Sequence, residues 1–283
     1  MEVLFSKMEG LGNDFVMMDD REGEIEAAMA YPDLARKLCD RHFGIGADGI
    51  ILARKSTSHD IRFVIINSDG SEPQMCGNGM RCFAKYLYEN KILTQEKIQV
   101  ETLAGTVIPQ VIVNNESRVD RVRVDMGEPV LASEKVPFKS SMETAIMDDL
   151  KLDDQTVKVT AVSMGNPHAV IFVDDVEQLD FQSIGKKVEV HERFPEKTNV
   201  EFIQVINNQE LKMRVWERGA GVTLACGTGA CASLVAAHLN KLTLNRALVH
   251  LAGGDLEIEW DKATNHIFKT GPAREVFKGS VNV

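Results

Sequence analysis

The sequence predicts an α/β (α+β) protein of two pseudo-symmetric lobes, each a curled sheet of mixed and antiparallel strands around a central helix. Three observations predict it. Short strand-like runs far outnumber helical ones. Two of the few helical runs are apolar on most sides, and such helices are normally buried on most sides. The same landmarks also occur twice, in the same order.

The first landmark is GLGNDFVMMDD (residues 10–20), matched by SMGNPHAVIFVDD (residues 163–175). The second is an apolar run ending on a polar residue, at Asn67 in one half and Glu217 in the other, each nine residues before a cysteine. The third is the cysteine itself, in Met75-Cys76-Gly77-Asn78-Gly79 and Ala225-Cys226-Gly227-Thr228-Gly229. The fourth is Leu103-Ala104-Gly105, repeated as Leu251-Ala252-Gly253. Gly12 precedes Cys76 by 64 positions and Gly165 precedes Cys226 by 61. A lone C-G-x-G is a common turn; common order and spacing point to duplication.

Short, partly alternating runs bounded by Gly, Asn or Asp read as strands: residues 2–10, 15–20, 61–67, 97–103, 106–113, 121–127, 157–165, 169–175, 199–206, 211–217, 247–254, 255–260 and 266–279. Helical patterns cover residues 32–42, with Pro32 suited to a helix start, and the runs after Cys76 and Cys226. The second of these is rich in small residues (Gly229, Ala230, Ala232, Ala236, Ala237). The stretch from Glu128-Pro129 to Asp154 is loosest in composition and is expected to hold the crossover between halves.

A chain of 283 residues suits two domains, each able to bury a core. The net charge of −10 argues against a nucleic-acid partner, which needs clustered Lys and Arg. No apolar run reaches membrane-span length, and the N-terminus lacks a secretory pattern. The five cysteines form no C-x-x-C and have no nearby paired histidines, so no metal site is expected and free thiols in a reducing cytoplasm are.

The chemistry follows from the repeated cysteines. Each reads as the first residue of a helix, where unpaired N–H groups and the helix dipole favour a thiolate. Both thiols are therefore expected to titrate below the free value of about 8.5. Two such thiols facing one cleft could take a proton from one face of a carbon and return one to the other, as a cofactor-free racemase or epimerase requires. The developing carbanion needs electrostatic stabilisation. Backbone N–H groups at the two helix starts can supply it if glycines allow close approach, and Gly77, Gly79, Gly227 and Gly229 fit. Asn78 and Thr228 add donors. There is no dinucleotide fingerprint and no lysine in a clear Schiff-base setting, so no cofactor is expected.

Cysteine is most often a small buried hydrophobe. The paired glycine context assigns Cys76 and Cys226 to catalysis and leaves Cys39, Cys82 and Cys231 to the core. His168, after the Gly165-Asn166-Pro167 turn, and Glu217, beside Arg218, are candidate partners that help the thiols lose and regain protons. Arg218 suits a carboxylate. Asn13, Asn67, Asn166 and Asn199 sit at turns or strand ends; asparagine is common there, but four in repeated positions suggest polar substrate contacts.

The motifs GNDF, RHFGIGADG, FVIINSDGSEPQMCGNGMRC, SMGNPH, KTNVEF, WERGAGVTLACGTGACA and TGPA closely resemble the diaminopimelate epimerase family, nearly end to end. The resemblance implies a pyridoxal-phosphate-independent epimerase converting LL-2,6-diaminopimelate to the meso form, in lysine and peptidoglycan precursor synthesis. It implies that Cys76 and Cys226 are the acid–base pair and that His168 and Glu217 tune them. Substrate contacts carry over to Asn13, Asn67, Gly77, Asn78, Asn166, Asn199, Glu217, Arg218, Gly227 and Thr228. It further implies that the C-terminal strand returns to the first lobe, giving lobes of residues 1–127 plus 272–283 and 128–271 with the active site between them, closure on substrate, and a cytoplasmic homodimer. One position departs: Gly44-Ile45-Gly46-Ala47-Asp48-Gly49 ends in glycine where many members have Gln. For LL to meso, Cys226 is taken as proton acceptor and Cys76 as donor. The nearest alternative is a proline racemase or hydroxyproline epimerase; Arg218 beside Glu217 favours a substrate with a distal charged end, which proline lacks. A thiol redox sensor is the rival from another class, and it would leave the ring of Asn, Glu and Arg without a role.

Overall fold

A computed structural model describes residues 1–153 and 155–283. It divides into two compact units, Met1–Val124 with Thr270–Val283, and Asp125–Lys269. Each unit is built on the same plan.

In the first unit, β1 (Glu2–Gly10) and β2 (Asn13–Asp19) form an antiparallel hairpin. The chain passes through α1 (Glu24–Ala28) and α2 (Tyr31–Cys39) to β3 (Gly49–Arg54), which lies parallel to β2. β4 (Ile61–Asn67) is antiparallel to β3. A second helix crossover, α3 (Gly77–Glu89), leads to β5 (Val100–Thr102), parallel to β4, and β6 (Gly105–Val107) turns back. A further hairpin, β7 (Gln110–Val113) and β8 (Val119–Asp125), follows.

In the second unit, β9 (Asp148–Lys151) and β10 (Thr156–Ser163) pair antiparallel, and β10 pairs antiparallel with β11 (Pro167–Phe172). Helix α4 (Phe181–Glu189) crosses to β12 (Asn199–Asn207), parallel to β11. β13 (Glu210–Glu217) returns antiparallel and carries the short β14 (Gly221–Val222). Then α5 (Gly227–Leu239) crosses to β15 (Arg246–Leu251), parallel to β13, and β16 (Gly254–Trp260) turns back, followed by β17 (Ile267–Gly271). The last strand, β18 (Arg274–Asn282), pairs with β1 as β9 pairs with β10. The run β1-β2-β3-β4-β5-β6 thus repeats as β10-β11-β12-β13-β15-β16 in order and direction.

Parallel neighbours need a crossover, usually helical, and the two crossovers in each unit cover both faces of its sheet. In the first unit, Leu34, Ala35 and Leu38 of α2 pack with Val16, Met18, Ile50 and Leu52. On the opposite side chains, Gly79 of α3 lies against Ile51 and Phe15, and Phe83 meets Phe63 edge-on at 5.1 Å. A strand covered on both faces loses its alternation. This is why β3, buried from Gly49 to Ala53, was not among the expected strands. In the second unit, residues 229–237 of α5 are all buried. The helix packs against β10 and β16, the first and last of the six strands of the repeat, so the sheet curls around it.

Helices α1 and α4 and strands β9 and β14 were also absent from the sequence reading. Helix α4 is short and carries Gly185 at its centre, which weakens the helical pattern. The glycine is there because a Cβ would lie 2.6 Å from Cβ of Trp216 on β13. The loose stretch from Glu128 packs into the second unit, where Val136, Phe138, Ala145 and Leu150 join its core; Asp154 lies outside the described residues. No helix among the described residues is long and apolar enough to cross a membrane.

Gly185→Ala forces a methyl against Trp216 and is expected to destabilise the fold by about 1–3 kcal/mol. Urea unfolding measures this as a lowered midpoint; an unchanged midpoint would contradict the packing described.

Candidate active site

The two repeated cysteines occupy the same structural position. Each has extended backbone and caps a thirteen-residue helix, Cys76 at α3 and Cys226 at α5. Gly79 N–H donates to Cys76 Sγ at 3.4 Å, and Gly229 N–H donates to Cys226 Sγ at 3.3 Å. The sulfur takes the place of the usual side-chain oxygen at an N-cap. Cys39, Cys82 and Cys231 are buried, and burial pushes the Cys39 and Cys82 thiols up to about 12.

For Cys226 the expected low thiol pKa is corrected. Its side chain is only 4% exposed. Burial first, then the Glu217 and Glu201 carboxylates, push the thiol well above its ordinary range, while the Thr228 hydroxyl and the Gly229 N–H oppose them. A helix terminus is worth less than full desolvation next to two acidic groups.

The strand register aligns the other candidates. Gly12 and Gly165 turn the hairpins with φ of 87° and 90°, a conformation suited to glycine. One residue on are Asn13 and Asn166; two further on, Phe15 pairs with Gly49 and His168 with Asn199. Gly49 in turn pairs with Asn67. Phe15 therefore corresponds to His168, Gly49 to Asn199, and Ile51 to Glu201.

In the second unit, His168 is fully buried, with Nδ1 2.7 Å from Glu201 Oε1 and Nε2 2.9 Å from Asn166 Oδ1. Asn166 Nδ2 donates to Thr228 Oγ1 at 3.5 Å, and Thr228 Oγ1 lies 3.6 Å from Cys226 Sγ. Glu217, half-buried, accepts from the Thr223 hydroxyl. Asn199 is buried, donates to Pro167 O at 2.9 Å and accepts the Arg218 N–H at 3.0 Å, so it pins the start of the Gly-rich loop. The Arg218 side chain is exposed and donates to Glu196 O at 3.0 Å rather than to Glu217. Gly227 and Thr228 form the first turn of α5.

In the first unit, Asn13 Nδ2 donates to Asp48 Oδ2 at 2.6 Å, and Asn13 Oδ1 accepts from Cys76 Sγ at 3.7 Å. Asn67 donates to Ser71 Oγ at 3.0 Å. Gly77 and Asn78 open α3, where Asn78 Oδ1 accepts from Arg81 at 2.9 Å. At Gly49, a Cβ would lie 2.6 Å from Ile66 O, so this backbone leaves no room for a side chain there without a shift.

Three residues of these surroundings escaped the sequence reading. Asp48 and Glu201 orient the candidates just described. Lys269 is 1% exposed, and a Cβ on Gly227 would come within 2.4 Å of its ammonium. The signal for Glu201 and Lys269 was a single charge inside an otherwise apolar run. Among the described residues no group of three or more His, Cys, Asp or Glu side chains is placed to hold a metal ion.

The fold is a doubled sheet-and-helix plan with a thiol at the start of each central helix. The structure of a hydroxyproline epimerase from Agrobacterium vitis shares the fold, with TM-score 0.69 at 14% identity, over 99% of this chain and 92% of that one. The family profile described as diaminopimelate epimerase matches residues 5–132 and 160–276. The diaminopimelate epimerase of Desulforapulum autotrophicum is 59% identical over 283 residues, all of both chains. That of Desulfitobacterium hafniense is 55% identical, over 99% of this chain and 97% of its own. The chain belongs to the diaminopimelate epimerase family.

A carboxylate near a thiol disfavours the thiolate. Glu217→Gln, in a Cys76→Ser background, is expected to move the Cys226 titration to lower pH. Ultraviolet thiolate absorbance against pH follows it; an unmoved or higher midpoint would contradict the electrostatic role of Glu217.

Proposed function

We propose that this chain, an isomerase that epimerises diaminopimelate in lysine biosynthesis, works by proton transfer between two cysteines without a cofactor. In this reading one cysteine is a thiolate and removes the α-proton, while the other, a thiol, delivers a proton to the opposite face. LL-2,6-diaminopimelate thereby becomes the meso isomer, also a peptidoglycan precursor, and the roles exchange in reverse. Cys226 is the acceptor and Cys76 the donor from LL to meso.

The observation that carries the reading is the doubled sulfur cap. Cys76 and Cys226 stand at corresponding points of a repeated topology, each with a glycine N–H on its sulfur. The opposite polarity of their neighbours supports the direction. Cys76 donates its S–H to Oδ1 of Asn13, whereas Cys226 faces a hydroxyl able to donate to a thiolate. The first turns of α3 and α5 offer N–H groups for the α-carboxylate, with Asn13, Asn67, Gly77, Asn78, Asn166, Asn199, Glu217, Arg218, Gly227 and Thr228 as substrate contacts. His168 and Glu217 act through the thiols.

The same reading places the enzyme in the cytoplasm as a homodimer. Leu4 on β1 and Val276 and Phe277 on the edge strand β18 are exposed apolar side chains, which supports self-association.

Serine in place of either cysteine is expected to lower turnover by about 10³-fold, because a hydroxyl is a poor acid–base partner near neutral pH. Proton NMR of LL-diaminopimelate with each variant measures it. Near-normal turnover in Cys76→Ser or Cys226→Ser would overturn the assignment.

A further inference from the structure

Two carboxylates stand near Cys226, and only Glu217 belongs to the set assigned above. The other, Glu201, lies in the middle of β12 with 0% exposure. Its Oε1 is bonded to His168, and its Oε2 is buried with no hydrogen-bond partner. A half-satisfied buried carboxyl is costly. The fold itself does not require one there: the corresponding residue of the first unit is Ile51. Ile51 Cδ1 and Glu201 Oε1 occupy the same place beneath the helix start, 2.7 Å and 2.6 Å from where a Cβ on Gly79 or Gly229 would stand. The groups facing Glu201 are His168 from β11, Glu217 from β13, and Cys226 with Gly229 from α5.

The hydrogen bonds leading from Glu201 have a direction. The Glu201–His168 contact shares one proton. If Glu201 is ionised, Nδ1–H donates to it; if Glu201 is protonated, its hydroxyl donates to Nδ1. Beside an ionised Glu201 a neutral imidazole would leave Nε2 a bare acceptor; burial raises the Glu201 carboxyl, and the neutral acid, donating to Nδ1, places the imidazole hydrogen on Nε2, which donates to Asn166 Oδ1. With its oxygen so engaged, Asn166 turns its Nδ2–H to Thr228 Oγ1. Thr228, receiving that bond, keeps its own O–H for Cys226 Sγ, 3.6 Å away, and donates it when the sulfur is a thiolate. In the first unit the asparagine is reversed. Asp48 takes the Nδ2–H of Asn13, and Oδ1 is left to face Cys76.

We propose that Glu201 is a positioning residue for Cys226: by fixing the hydrogen on His168 Nε2 it sets the polarity of the chain His168–Asn166–Thr228, so that a donor faces the Cys226 sulfur. The proposal rests on Cys226 being one of the two acid–base groups. It accounts for why a duplicated fold keeps a buried acid in one half and an isoleucine in the other.

Two variants of the full-length protein test it. In Glu201→Gln the amide can donate to Nδ1, preserving the Nε2–H tautomer, so kcat is expected to stay within about threefold of the parent. In Glu201→Ile, the residue the first unit already holds at this place, Nδ1 loses its partner and the tautomer is no longer fixed. There kcat is expected to fall by about 10- to 100-fold, as when a supporting partner is lost, with a smaller change in KM. Nitrogen-15 NMR of His168 reads the tautomer directly: Nε2–H in the parent and in Glu201→Gln, a mixture or Nδ1–H in Glu201→Ile. A parent that lacks Nε2–H, or a Glu201→Gln variant that loses it or loses kcat as Glu201→Ile does, overturns the proposal even if Glu201→Ile does not fold. Cys226→Ser separates the two readings, because normal turnover there would mean that the cysteine assignment has failed, whatever the Glu201 variants do.

Discussion

A backbone N–H donated to a cysteine sulfur, from Gly79 to Cys76 and from Gly229 to Cys226, is the contact around which each unit is organised. It requires the helix to begin at the thiol, which in turn requires small residues in the first turn. The helix must also enter the core directly, and the strands on either side of the crossover must run parallel. The curl of the second sheet about α5 and the all-buried face of that helix follow from the same demand. The sulfur is thereby held at the edge of a packed interior, where its proton is sensitive to every neighbouring dipole.

Duplication supplies two such thiols, and divergence makes them unequal. Phe15 and Ile51 lie beneath the first helix start where His168 and Glu201 lie beneath the second. The proposed two-base mechanism would use this inequality, since it needs one thiol to hold a proton while the other does not. Burial alone would leave Cys226 protonated. The Thr228 hydroxyl and the Gly229 N–H oppose burial and the Glu217 and Glu201 carboxylates without overcoming them. If the thiols exchange roles as proposed, pH limbs of the activity belong to the pair.

Much of this was legible in the sequence because it is local. The G-x-G after each cysteine announces a helix start, the run 61–67 is recovered as β4, and the paired Leu-Ala-Gly landmarks prove to be the β5–β6 and β15–β16 hairpins. What was not legible depends on contacts distant in sequence. β3 gives no alternating signal because α2 and α3 cover both of its faces, and α4 is masked by a glycine that exists for Trp216. Glu201 is a single acid in an apolar strand until the fold sets it against His168. The rise of the Cys226 thiol depends on burial, which no spacing argument measures. Arg218 shows the converse: its planar charge suggests a carboxylate, and the loop turns it to Glu196 O and solvent.

The central claim is that two thiols, and not one base, move the proton. The most direct measurement is the deuterium content of both isomers at low conversion of LL-diaminopimelate in deuterium oxide. With two thiols, the meso product carries solvent deuterium at the inverted α-carbon from the first turnovers, while unreacted LL substrate keeps its protium. Product that retains the original proton, or substrate that exchanges before it is converted, would mean that a single group removes and returns it, and would contradict the account.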